Sequence, residues 1–122
     1  MSKNIHRLEL VLKKIAFIEI VVDKSGGLVK ALEDEANARA AIMMHLTSIA
    51  EQFDKLAKNG EFGLLGKLDG EDVRGSYDVR NYIVHDYEGI NIAIIEKVVR
   101  TKLPKLKSDI ETILSELQKE EK

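Results

Sequence analysis

The chain has no cysteine. That excludes a disulfide scaffold, a thiolate metal site and a cysteine nucleophile, and it fits a reducing compartment. It has one proline, Pro104, so little interrupts the backbone, and most of the sequence reads as amphipathic helix. Long hydrophobic runs are also missing. The most apolar stretch, IAFIEIVV ending at Val22, contains Glu19 and falls far short of a membrane span. The opening MSKNIHRLEL offers no uninterrupted apolar segment and no small-residue cleavage site, so no signal peptide and a cytoplasmic location are expected. Nor is there a large excess of charge: 19 basic residues face 21 acidic ones, a net charge of −2. A dedicated non-specific nucleic-acid binder is usually basic overall, so any contact with RNA has to come from a local patch. No low-complexity segment and no internal repeat is present.

What remains is helical patterning over 122 residues, the length of a single domain spanning 1–122. Ile5, Leu8, Val11, Leu12, Ile15, Ile18 and Val22 fall at helical spacing over 4–22, and Gly26 and Gly27 stop that helix. A second, longer helix is predicted over 28–58, with Ala31, Ala38, Ala41, Ile42, Leu46, Ile49, Phe53 and Leu56 on its apolar stripe. Residues 59–71 hold four glycines and read as a loop, with a short turn near Phe62–Leu65. A third helix starts near Gly70–Asp72 and ends around Tyr87–Gly89. Asn91 can cap a fourth, over Ile92 to Thr101. Pro104 suits the first turn of a last helix running to Lys119, with Leu106, Ile110, Ile113, Leu114 and Leu117 inward. No segment alternates with the period of a strand. The predicted class is all-α, an antiparallel bundle of four to five helices.

The chemically richest stretch is DVRNYIVHDYEGIN, Asp78 to Asn91. On a helix, Asn81 and His85 share a face, Arg80 and Tyr87 stack two turns apart, and Arg80 and His85 are about 140° apart. Ile83 and Val84 read as anchors to the core. A histidine can take a proton from an attacking hydroxyl or give one to a leaving oxygen, because its ordinary pKa lies near neutrality. An arginine offers a fixed fork of donors to phosphate oxygens and to the charge that develops on them. Together they suffice for transesterification at phosphate. The histidines His6, His45 and His85 show no metal-ligand spacing, so no metal and no cofactor is expected.

Here the sequence resembles a known family. RNYIVHDY matches the R-N-x-x-x-H-x-Y signature of the HEPN superfamily, specifically the HepT-like toxins of the HepT/MntA toxin–antitoxin type. AIMMHLTSIAEQFDKL resembles that family's second long helix. GINIAIIEKVVRTKLPKLKSDIETIL resembles its ending, a hydrophobic helix, L-P-x-L and a final helix. The likeness thus covers nearly the whole chain, although the glycine-rich 59–71 loop does not align clearly. The resemblance implies a metal-independent ribonuclease. Arg80 would hold the scissile phosphate, His85 would act as general acid–base, and Asn81 would orient it. It further implies a homodimer that brings two copies of the motif together. The partner would be an MntA-like minimal nucleotidyltransferase antitoxin that silences the toxin by adenylylating Tyr87. Added phosphate there would bring negative charge and bulk to where RNA phosphate must sit.

Ordinary readings stand beside these. Arg80 can be a surface ion pair with Asp78, Asp86 or Glu88. His45 lies on the second helix's apolar stripe and reads as core or dimer interface, His6 as exposed, and Tyr82 as packing. GSYDVR, Gly75 to Arg80, imitates the start of a nucleotidyltransferase loop. That loop needs a preceding strand and downstream metal-binding acids, and it is rejected. RTKLPKLK clusters Arg100, Lys102, Lys105 and Lys107, either as a solvated helix start or as a patch guiding RNA or an acidic partner. Two functional alternatives remain: a non-catalytic helical module that binds a minimal nucleotidyltransferase and its substrate, and a plain dimerising bundle.

Overall fold

A computed structural model describes residues 2–120, with side chains from Ile5 onward. The elements are α1 (Ser2–Ser25), α2 (Leu28–Glu33), α3 (Ala38–Lys58), α4 (Phe62–Leu65), α5 (Gly70–Asp86), α6 (Ile92–Lys97) and α7 (Leu103–Glu120). A 3-10 turn, Tyr87–Gly89, follows α5, and a π-helical turn, Val98–Lys102, joins α6 to α7. No strand occurs among the described residues, so the all-α class holds. No helix among them is long and apolar enough to cross a membrane.

The predicted stripes form the core. Leu8, Val11, Ile15 and Ile18 of α1 are buried against Ile42, Leu46, Ile49, Phe53 and Leu56 of α3. The pair runs antiparallel: Arg7, early in α1, donates to Gln52 Oε1 at 3.2 Å late in α3. Further along, Phe17 meets His45 with ring centroids 5.3 Å apart. Gln52 is the buried polar side chain of this core, and its amide also donates to Ser48 O, so it is satisfied. The α1 stop is the expected glycine pair. Gly26 and Gly27 have φ of 88° and 132°, and Gly27 N returns to Val22 O at 2.9 Å, closing the helix end as only residues free of a Cβ do readily.

The single helix expected over 28–58 is instead two. Asp34 leaves helical geometry at φ −85°, ψ 81°. Its carboxylate then accepts from Asn37 N at 3.3 Å and Ala38 N at 3.1 Å, which satisfies the first free donors of α3. Arg39 Nε donates back to Leu32 O at 2.7 Å and satisfies the end of α2. The break lets Leu28, Ala31 and Leu32 turn inward.

α5 begins where Asp69 accepts from Glu71 N at 2.9 Å, with Glu71 and Asp72 favourably placed in the first turn. It packs on α3, yet Ile83 is its only fully buried residue. The turn that follows is tied down by Tyr82, whose hydroxyl accepts from Asn91 N at 2.6 Å. Asn91 in turn caps α6 by accepting from Ala93 N at 3.0 Å, as expected. Pro104 does sit in the first turn of α7, but no loop precedes it. Leu103 N bonds to Val98 O, five residues back, and Pro104 has no N–H to give. A π-helical turn absorbs the missing donor.

Candidate active site on the outer face of α5

The motif lies on a helix whose inner edge is fixed by Ile83, 4% exposed. Val84 is 62% exposed, so the pair of core anchors reduces to one. Neighbours on a helix are about 100° apart, and the narrow apolar edge of α5 accommodates one of them. Measured from Ile83, the helical phase places Arg80, Val84, Tyr77, Asn81 and His85 in that order across an outer arc of about 140°. Arg80 and His85 mark its two edges.

Arg80 is half-buried. Its guanidinium lies over the Tyr77 ring, 5.3 Å from the centroid, a cation–π contact. It also donates to Asn81 Oδ1 at a long 3.4 Å. Asp78, Asp86 and Glu88 form no ion pair with it, so among the described residues its charge is not neutralised by a carboxylate. Asn81 and His85 are exposed. Asn81 faces Arg80 with its oxygen, and no hydrogen bond joins Asn81 to His85. The structure thus joins Arg80 to Asn81 and leaves His85 open on the same arc.

Tyr87 does not continue the helical phase of Arg80. α5 ends at Asp86, whose φ of −126° and ψ of 27° leave the helix. Tyr87 lines a groove of about 580 Å³ with Lys14, Met44, His45, Glu51 and Ile83, and it is 47% exposed. His45 is half-buried in this groove rather than in the core. Burial, and then the Lys14 ammonium, lower its pKa from the ordinary value. His6 is exposed. Tyr82 packs against the core, and its hydroxyl also bonds the backbone.

Sequence reasoning missed Tyr77 and Arg74. Both lie in or beside the rejected GSYDVR segment, which is continuous helix. Helical phase from Arg80 is the signal that finds them. Burial, and then Asp54, raise the Tyr77 phenol above its usual range, so it is a protonated aromatic surface at neutral pH.

The RTKLPKLK cluster is largely neutralised. Arg100 pairs with Glu96 at 2.8 Å and Lys107 with Glu19 at 3.3 Å. Lys105 donates to Asp69, Asp72 and Asp109 at 2.9, 3.0 and 2.9 Å. Hydrogen bonds to those three carboxylates push Lys105 well above the ordinary lysine range. The Lys105 hydrogen bond lowers Asp69. Burial raises Asp72, while the hydrogen bond it shares with Asp109 lowers the latter. Among the described residues, no group of three or more histidine and acidic side chains is placed to hold a metal ion.

A family model described as HepT-like, "Ribonuclease HepT-like", matches residues 4–113. That span includes the whole outer arc of α5 and Tyr87. Searches of the curated proteins and of the solved structures return no match.

Proposed function

Because the chain belongs to the HepT-like ribonuclease family, we propose that it is the toxin of a HEPN/MNT toxin–antitoxin pair and cleaves RNA with Arg80 and His85. The observation that carries this reading is the Arg80 charge, without a carboxylate partner, at one edge of the outer arc of α5 that carries the exposed His85 at its other edge. Arg80 binds the scissile phosphate and the negative charge that builds on its oxygens. The ribose 2′-oxygen attacks phosphorus, an imidazole takes its proton, and the bond to the 5′-oxygen breaks as that oxygen is protonated. The products are a 2′,3′-cyclic phosphate and a free 5′-hydroxyl. Asn81 holds Arg80, the group it contacts, in place of the role toward His85 expected from the motif.

A homodimer suits this chemistry. Arg80 and His85 stand at opposite edges of one arc, and a two-fold brings a second copy of each alongside. One imidazole then takes the 2′ proton and the other supplies a proton to the leaving oxygen. Val84 between them and Met44 beside the Tyr87 groove, 62% and 63% exposed, are the apolar side chains available for the contact.

Tyr87 is the proposed point of control. Its exposed phenol attacks the α-phosphorus of ATP on a minimal nucleotidyltransferase antitoxin. A tyrosyl O–P bond forms and pyrophosphate leaves. The added phosphate lies two residues along the chain from His85 and repels the RNA backbone.

The test is growth inhibition together with cleavage of cellular RNA by purified protein. His85→Ala and Arg80→Ala are each expected to abolish both while the protein stays folded. Cleavage that survives both substitutions in clean protein would sink the reading. A tight nucleotidyltransferase complex without any ribonuclease activity would favour the non-catalytic binding module instead. Incubation with the nucleotidyltransferase and ATP should add adenylate mass to the wild type and none to Tyr87→Phe.

A further inference from the structure

Beside the proposed cleavage residues is a hollow with no assigned role. It has a volume of about 390 Å³ and is lined by Leu65, Gly66, Gly70, Val73, Arg74 and Tyr77. Its walls are apolar, with Arg74 the one charged side chain. Leu65 and Gly66 come from α4 and the residue after it, the rest from α5. The floor is open at Gly70, where an added Cβ would meet nothing within 4 Å.

Its position matters more than its size. Val73, Arg74 and Tyr77 share the outer arc of α5 with Arg80, Asn81 and His85. Along the axis, Tyr77 separates the hollow from Arg80: Val73 and Arg74 lie a turn before it, and the Arg80 guanidinium rests over its ring from the turn after. From Tyr77 to Arg80 is a rise of about 4.5 Å. Arg74 is exposed and, like Arg80, has no carboxylate partner among the described residues.

We propose that this hollow is a nucleobase subsite for single-stranded RNA. It holds the base one or two nucleotides from the phosphate on Arg80, with Tyr77 as the stacking surface and Arg74 on the backbone phosphate beside it. The occupant follows from the walls. A shallow apolar surface ending in a half-buried aromatic ring and flanked by two arginines without carboxylate partners matches a flat base on an anionic chain. Stacking of this kind tolerates any base, because every base has a π-face. Tyr77 thereby has two contacts, the guanidinium on one side and the base on the other, and Arg80 is held in line with the strand.

The subsite rests on the ribonuclease reading, and its test separates the two. Short single-stranded RNAs carrying one abasic residue, walked along the sequence, are cleaved by the wild type, Tyr77→Leu, Tyr77→Phe and Arg74→Gln, with kcat and KM measured for each. At one position near the cut, the missing base should raise the wild-type KM about tenfold. Tyr77→Leu should raise KM by a similar factor on intact RNA and become insensitive to the abasic residue. Tyr77→Phe should restore that sensitivity. Arg74→Gln should raise KM alike for intact and abasic RNA. A KM blind to every abasic position overturns the subsite and leaves the ribonuclease intact. A Tyr77→Leu protein that loses kcat while remaining sensitive to the missing base also overturns it, reducing Tyr77 to a prop for Arg80. If no RNA is cut at all, the ribonuclease reading fails. Fluorescence anisotropy of the same RNAs then judges the hollow: Tyr77-dependent loss of affinity at one abasic position supports it, and uniform binding rejects it.

Discussion

Two cationic clusters of this protein have opposite fates. At the α6–α7 junction, Arg100, Lys105 and Lys107 each meet carboxylates within 3.3 Å. On the outer arc of α5, Arg74 and Arg80 meet none among the described residues. In sequence the first is denser in lysine and arginine and reads either as a solvated helix start or as an electrostatic patch. The ion pairs favour the first of those readings. Charge already balanced by fixed acids projects little field toward a polyanion, whereas an arginine on an aromatic ring keeps its donors free. The Lys105 cluster thus fastens the α5 start to α7, and the two α5 arginines keep their charge without a carboxylate partner among the described residues.

The comparison breaks most sharply at His85. His85→Ala should lower the RNA cleavage rate by about 10² to 10⁴-fold, with a Tm near the wild type because the side chain is exposed. Ile83→Ala is the structural counterpart one half-turn away. It removes the one buried apolar residue of α5 and should cost about 2–4 kcal/mol by denaturant unfolding. Lys105→Met should lower Tm, because it leaves three converging acids without their cation, while activity per folded molecule stays unchanged. If it instead weakens RNA binding as much as Arg74→Gln does, the two clusters are not functionally distinct.

The smallest effect concerns His45. Its folded pKa is lowered below the ordinary value of 6.5, so the unfolded chain takes up a proton first as pH falls. The neutral imidazole's contribution is present above 6.5 and declines as pH falls through that value toward the folded pKa. Tm should therefore drop between pH 7 and pH 5.5 by more in the wild type than in His45→Gln.

The fold was legible wherever a local rule set the outcome. Gly26 and Gly27, the Asn91 cap and the buried stripes of α1, α3 and α7 all follow from spacing and residue type, and the turn expected at Phe62–Leu65 is the short helix α4. The break after α2 was not, because helix-favouring residues run through it and the deciding contacts are side chains reaching back, Asp34 to Ala38 and Arg39 to Leu32. The fate of Lys105 and Lys107 was hidden for another reason: apart from Asp109, one helical turn on from Lys105, their partners lie 33, 36 and 88 positions away. At the site, the motif named the residues but not their neighbours. Val84 turned outward, Asn81 turned to Arg80, and Tyr77 emerged only once the helical phase of α5 was known.

α5 carries the candidate chemistry, yet of its 17 residues only Ile83 is fully buried, whereas α3 buries nine of 21. Local stability follows buried apolar contact. The helix bearing the site therefore opens at lower free energy than the scaffold beneath it, and its amide hydrogens exchange sooner than those of α3. Anything that covers its outer arc, whether a second copy, an RNA strand or an antitoxin, closes that gap by mass action. Slowed amide exchange confined to α5 would mark the occupied surface without any need to observe cleavage.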